Sequence, residues 1–274
     1  MRRLLVPIVA VVFAAGLVAP SHADEAPPPR PPLPSSMAAI GDSITRAADT
    51  CCWYGDHPAN SWSTGGAGWD GVISHYERIR ALNPDIRDNN FNDAESGARM
   101  SDGPEQARSA VEQRVRYVTV MLGANDLCTS SPSTMTPVDT FRSQFRQTLR
   151  ILVNDLPAGA RIFVASIPDV HRLWDIYHTN WLARLVWDVA NICQSLLAPD
   201  RTAAERALVR QRNLAYNDVL ATQCTRLARC RYDGGAVFSY PFTRSDVSTL
   251  DFFHPSLSGQ ANLARVTWAA SWWS

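Results

Sequence analysis

Two nearly unbroken apolar runs, Tyr117 to Leu122 and Arg161 to Ile167, constrain this chain most, because each is closed at once by a chain-breaking residue, Gly123 or Pro168. A strand without polar alternation has no face to give to water. It is therefore buried on both sides, as parallel strands are between layers of helix. Met37-Ala38-Ala39-Ile40 is a third such run, and it stops in Gly41-Asp42-Ser43. Shorter strands are predicted near Arg87 to Asn92 and near Arg231 to Phe238. Helical spacing fills the intervals: Trp69, Val72, Ile73, Tyr76 and Ile79 recur on one face before Asn83-Pro84, and Phe141 to Leu152 is amphipathic up to Pro157. Long helical patterns cover Leu173 to Leu197 and Thr202 to Leu227, and Ser256 to Trp272 reads as a closing helix. Alternation of this kind predicts a doubly wound α/β sandwich on a mostly parallel sheet.

The first residues are of a different kind. Arg2 and Arg3 precede an apolar run from Leu4 to Val18 and then Pro20-Ser21-His22-Ala23, the pattern of a signal peptide, 1–23, cut after Ala23. A proline-rich linker, 24–35, leads into one domain, 36–274, with no repeat or second low-complexity tract inside it. No basic stop-transfer flank follows the apolar run, so no stable membrane anchor is expected in the mature chain. With zero formal net charge and 19% charged residues, nucleic acid is excluded as an expected partner. Every basic residue is arginine, which removes lysine as a catalytic base. Six cysteines in an exported chain point to disulfides, and none has zinc-like spacing. Cys224 and Cys230 are near enough to close a small loop, and Cys128 with Cys193 is a longer link. Cys51 and Cys52 are adjacent, and a vicinal bond there would be strained, so free thiols or another pairing stay open.

Polar residues gather just after the strands. Gly41-Asp42-Ser43 puts a hydroxyl at the carboxyl edge of the sheet, where open α/β sheets bind ligands. Gly123-Ala124-Asn125-Asp126 brings an amide donor to the same edge, and Gly97 offers an unobstructed backbone N–H. In Asp251-Phe252-Phe253-His254 the spacing lets the carboxylate reach one ring nitrogen, so that His254 deprotonates Ser43 while Asp251 fixes its tautomer. Asp42 and Asp126 read as braces of their turns. His57, His75, His171 and His178 form no ligand cluster, so no metal site is expected. Trp174, Tyr177, Trp181 and Leu185, with Trp187 nearby, fall on one helical face, for which core packing outweighs a lipid-facing lid. Trp53, Trp62 and Trp69 fit a pocket wall or the core equally.

These blocks, in this order, resemble the SGNH or GDSL hydrolase family of serine esterases and lipases, and its secreted actinobacterial branch in particular. Trp-Ser-Thr-Gly at 62–65, Ser-Ile-Pro-Asp at 166–169 and Phe-His-Pro at 253–255 add to the likeness. The resemblance implies a three-layer α/β/α sandwich, the flavodoxin-like SGNH fold, and ester hydrolysis through an acyl-enzyme without cofactor or metal. It assigns Ser43 as nucleophile, His254 as base, Asp251 as its orienting acid, and the N–H groups of Ser43 and Gly97 with the Asn125 side chain as oxyanion hole. Two positions depart from the pattern. His57 stands where relatives carry a cysteine that pairs with Cys51, and Ala47 stands where many have glycine. The expectation is a secreted, monomeric esterase or lipase acting on acyl-lipid or short-chain esters. The alternatives are a carbohydrate O-deacetylase of acetyl xylan type and a non-catalytic secreted binding protein.

Overall fold

Five strands, β1 (Met37–Gly41), β2 (Asn90–Asn92), β3 (Tyr117–Met121), β4 (Arg161–Val164) and β5 (Cys230–Tyr232), form one sheet in the order β2-β1-β3-β4-β5. Every pairing in it is parallel. The computed structural model describes residues 30–274. The signal segment 1–23, its cut after Ala23, and the linker up to residue 29 lie outside the described residues. All residues of β1 and β3 are buried, as strands covered on both faces must be.

The helices are α1 (His75–Leu82), α2 (Gly103–Glu112), α3 (Ala124–Leu127), α4 (Val138–Asp155), α5 (His171–Tyr177), α6 (Trp181–Val189), α7 (Gln194–Leu197), α8 (Ala203–Cys224) and α9 (Leu257–Ala269). Helices α2, α4 and α8 pack side by side over one face of the sheet. On the other face α1 meets α9, where His75 Nε2 bonds Thr267 Oγ1 at 2.9 Å. The result is the three-layer α/β/α sandwich. Because the chain first steps from β1 out to β2 and then returns past it to β3, the strand order reverses between β1 and β3, the position at which doubly wound sheets bind their ligands. Their register pairs Gly41 with Met121, so the loops leaving both strands emerge side by side.

Three helical expectations needed correction. The pattern from Trp69 becomes helix only after Ser74, which caps α1 in a reciprocal box with Glu77, and Trp69 and Ile73 are left exposed. The stretch 173–197 is three short helices. Asn180 Oδ1 accepts the N–H groups of Leu182 and Ala183 and so starts α6 afresh, while left-handed Asn191 and Cys193 separate α6 from α7. That break also splits the aromatic face: Tyr177 and Trp187 are buried, but Trp181 is 74% and Leu185 49% exposed. Among the described residues no helix is long and apolar enough to cross a membrane.

Candidate active site

The turn after β1 begins at Gly41, where a Cβ would lie 2.3 Å from Thr45 Oγ1 and 2.8 Å from the Met121 carbonyl oxygen. Glycine is required there for close approach. The buried amide of Gln106 in α2 pairs with both backbone groups of Gly41, accepting its N–H at 2.8 Å and donating to its carbonyl at 3.0 Å. This brace was not legible in the sequence, since only the fold brings α2 to the end of β1. Asp42 Oδ1 then accepts the Ile44 N–H at 3.0 Å, and the Ala48 N–H bonds the Ser43 carbonyl at 2.9 Å, so Ser43 sits in a tight turn. Burial pushes the Asp42 carboxyl up to about 7. Ala47, at φ +52°, occupies the left-handed region that favours glycine.

His254 is delivered by the turn that precedes α9. Asp251 Oδ1 accepts the N–H groups of Phe253 at 2.9 Å and His254 at 3.1 Å, which fixes the carboxylate. Its Oδ2 lies 2.5 Å from His254 Nδ1, and His254 Nε2 lies 2.8 Å from Ser43 Oγ. A further carboxylate, Asp49 Oδ2, is 3.7 Å from the same Nδ1. Burial of the ring works against its charged form, but the Asp251 bond and the nearby charges of Asp251 and Asp49 outweigh it and raise the imidazole to about 9. Asn125, in the first turn after β3, donates through Nδ2 to the Ala98 carbonyl at 3.0 Å, which orients the amide. Asp126 accepts the Met100 N–H at 2.8 Å and ties that segment to the end of β3. Gly97, at φ +86°, lines the same cleft as Ser43, Asp49, Tyr54, Asn125 and His254. The structure thus brings Ser43, Gly97, Asn125, Asp251 and His254 together.

A family model described as GDSL-like Lipase/Acylhydrolase matches residues 37–266. The chain belongs to that family. Among solved structures, a single-substitution variant of Axe2, an acetyl xylan esterase from Geobacillus stearothermophilus, is similar at 16% identity, covering 86% of this chain and 93% of that one, with a TM-score of 0.52. The acetyl xylan esterase AlAXEase is similar at 14% identity over 85% of this chain and 98% of that one, with a TM-score of 0.53. An extracellular lipase from Streptomyces rimosus shows 16% identity over 86% and 99%, with a TM-score of 0.47. The likeness is one of fold. No curated protein matches the chain.

Around this GDSL-like centre the cysteines divide into two kinds. Cys128 is bonded to Cys193 and Cys224 to Cys230. The first of these walls the cleft, because it ties the segment after α6 to the end of α3 beside Asn125. Cys51 and Cys52, counted among the disulfide candidates, are free thiols with sulfurs 2.8 Å apart. Burial and the neighbouring Cys52 push the Cys51 thiol up to about 11. At position 57 the histidine bonds the Trp53 carbonyl at 3.0 Å instead of supplying a sulfur. Of the three early tryptophans, Trp62 is core, whereas Trp53 and Trp69 are exposed. Among the described residues Asp49, Asp251 and His254 are the one group close enough to share a cation, but the ring nitrogen that faces both acids is already hydrogen-bonded to Asp251.

Proposed function

We propose that this GDSL-like protein is a secreted serine hydrolase that cleaves carboxylic esters by acylating Ser43. The observation that carries the reading is the imidazole of His254, bonded through one nitrogen to Asp251 and through the other to Ser43 Oγ. In the reaction Ser43 Oγ attacks the ester carbonyl as its proton passes to His254 Nε2, and Asp251 holds the tautomer and faces the imidazolium. The oxyanion is stabilised by the N–H groups of Ser43 and Gly97 and by the Asn125 Nδ2 hydrogen that Ala98 does not occupy. Collapse returns the proton from His254 to the leaving alcohol. Water then attacks the acyl-enzyme along the same route and releases the acid.

The preferred substrate is an acyl-lipid or short-chain ester. Phe253 lines both the cleft at Ser43 and a second cavity beside it, and that cavity is walled by Ile44, Val170, Leu173, Ile176, Phe242 and Val247. Ile44 follows Ser43 directly in the chain, so this apolar space adjoins the nucleophile and favours an apolar acyl group. A second reading, carbohydrate O-deacetylation, is favoured by the exposed rings of Trp53 and Tyr54 at and beside the mouth of the cleft, which suit stacking on a sugar face. The two disulfides suit export, and domain 36–274 is the catalytic unit in this reading.

A ladder of p-nitrophenyl esters from acetate to palmitate, run beside acetylated xylan and the Ser43→Ala variant, tests both readings. Turnover that peaks beyond acetate and vanishes in Ser43→Ala supports the esterase. Xylan deacetylation faster than any acyl ester supports the second reading, and a folded protein inert on every substrate defeats the hydrolase assignment.

A further inference from the structure

Ester hydrolysis at Ser43 uses one carboxylate, Asp251, yet a second one points at the same ring nitrogen. Asp49 lies in the loop that follows the Ser43 turn, and its Oδ2 stands 3.7 Å from His254 Nδ1. Its conformation is strained, since φ is +52° at a residue with a side chain. Specific bonds hold it there. The Asp49 N–H donates to the Gly55 carbonyl at 2.8 Å, and the Gly55 N–H donates to Asp49 Oδ1 at 2.6 Å. With Oδ1 tied to Gly55, Oδ2 is the oxygen left to face the imidazole.

The same loop is stitched to the turn that carries Asp251 and His254. Ser248 Oγ donates to the Asp49 carbonyl at 2.5 Å, Thr50 Oγ1 to the Pro255 carbonyl at 3.0 Å, and Tyr54 Oη to the Leu250 carbonyl at 3.1 Å. Three bonds therefore set the separation between Asp49 and the ring. Among the described residues Asp49 has no ion-pair partner except His254, because Arg46, the nearby cation of this loop, pairs with Asp56 at 2.9 Å.

We propose that Asp49 is a positioning residue for ester hydrolysis, a second carboxylate that holds and stabilises the imidazolium formed when His254 takes the Ser43 proton. The inference rests on the serine-hydrolase reading. The neighbouring His254 holds the Asp49 carboxyl below the usual carboxylate range despite its burial, as expected of an anion whose counter-charge is the imidazolium. The other titratable groups that act on the ring are Asp251, from its own turn, and Asp42, from the end of β1. The Arg46–Asp56 pair lies farther along the cleft and is internally neutralised.

Asp49→Asn separates this role from simple loop bracing, since the amide oxygen keeps the Gly55 bond while the negative charge facing the ring is lost. Two readouts are compared with wild type: the pH dependence of kcat/KM on p-nitrophenyl butyrate, and the NMR titration of the His254 ring, identified by its loss in His254→Ala. The expected result is that both the acid limb and the ring titration move to lower pH by about one unit, the effect of removing one opposite charge within about 4 Å. In an Asp251→Asn background, adding Asp49→Asn is expected to lower kcat/KM at least tenfold more than it does alone. An Asp49→Asn protein whose ring titration and acid limb both match wild type overturns the proposal, even if its melting temperature or kcat falls. The NMR titration needs no turnover, so a protein inert on esters defeats the hydrolase reading while the ring still reports on Asp49.

Discussion

His75 and His254 are bonded through both ring nitrogens, and burial disfavours the charged form of each, yet the two rings end at opposite extremes. His75 lies between Tyr117 Oη at 2.8 Å and Thr267 Oγ1 at 2.9 Å, among the rings of Trp62, Phe163 and Trp268. Thr267 spends its hydroxyl hydrogen on the Leu263 carbonyl at 2.6 Å, so it accepts from His75 Nε2–H, and Tyr117 donates to Nδ1. Every partner is neutral. Burial, with a smaller push from Arg78, takes the His75 ring down to about 3. His254 meets the same penalty, but two carboxylates outweigh it and hold the ring near 9. With burial and bond count alike in the two rings, the charge of the partners decides in which direction each imidazole shifts.

The largest expected difference lies in the rate. Ser43→Ala or His254→Ala should each lower kcat by a factor on the order of 10⁴ to 10⁶, with the double variant little worse than either, because the groups act as one unit. His75→Leu should leave kcat within a few-fold; a loss comparable to that of His254→Ala would break the comparison. Stability should reverse the ranking. His75→Leu strands the Tyr117 hydroxyl in the core and removes the donor that Thr267 Oγ1 accepts, and should cost about 3 kcal/mol, read from the urea midpoint at pH 9, whereas His254→Ala, most of whose charged-ring contribution is already lost at that pH, should cost less than half of that.

Taken per pH unit, the smallest effect is the slope of stability, and its sign differs between the rings. The unfolded chain holds a histidine proton below about 6.5, whereas folded His75 refuses it until about 3. The His75 contribution is therefore complete above pH 6.5 and is lost as pH falls toward 3. For His254 the folded ring holds the proton longer, so its contribution is complete below pH 6.5 and is lost as pH rises through about 9. Subtracting the stability curve of His75→Leu from that of wild type should leave a slope of about 1.4 kcal/mol per pH unit on the acid side only. The same subtraction with His254→Ala should leave a slope of opposite sign on the alkaline side.

Much of the candidate site was legible because it is local. Gly41-Asp42-Ser43, Gly123-Ala124-Asn125 and Asp251-x-x-His254 each sit just after a strand or before a helix, so spacing alone sets their geometry. Buried strands were legible for a similar reason, since an apolar run with a glycine or proline stop admits few readings. Contacts made by docking were not. Gln106 reaches Gly41 from another helix, and Asp49 reaches His254 only because its loop is stitched to the turn before α9. Periodicity also overran the helix ends at Ser74, Asn180 and Asn191, where a cap or a left-handed residue decides the boundary and the apolar pattern continues across it.

The proposed nucleophile is Ser43, activated by His254. The most direct test is the intact mass of the protein after treatment at pH 9 with a p-nitrophenyl alkylphosphonate, which traps an activated serine as a stable adduct. One adduct per chain on the peptide containing Ser43, absent from Ser43→Ala and from His254→Ala, is the predicted result. An unlabelled folded wild type, or a label that persists in Ser43→Ala, would contradict it.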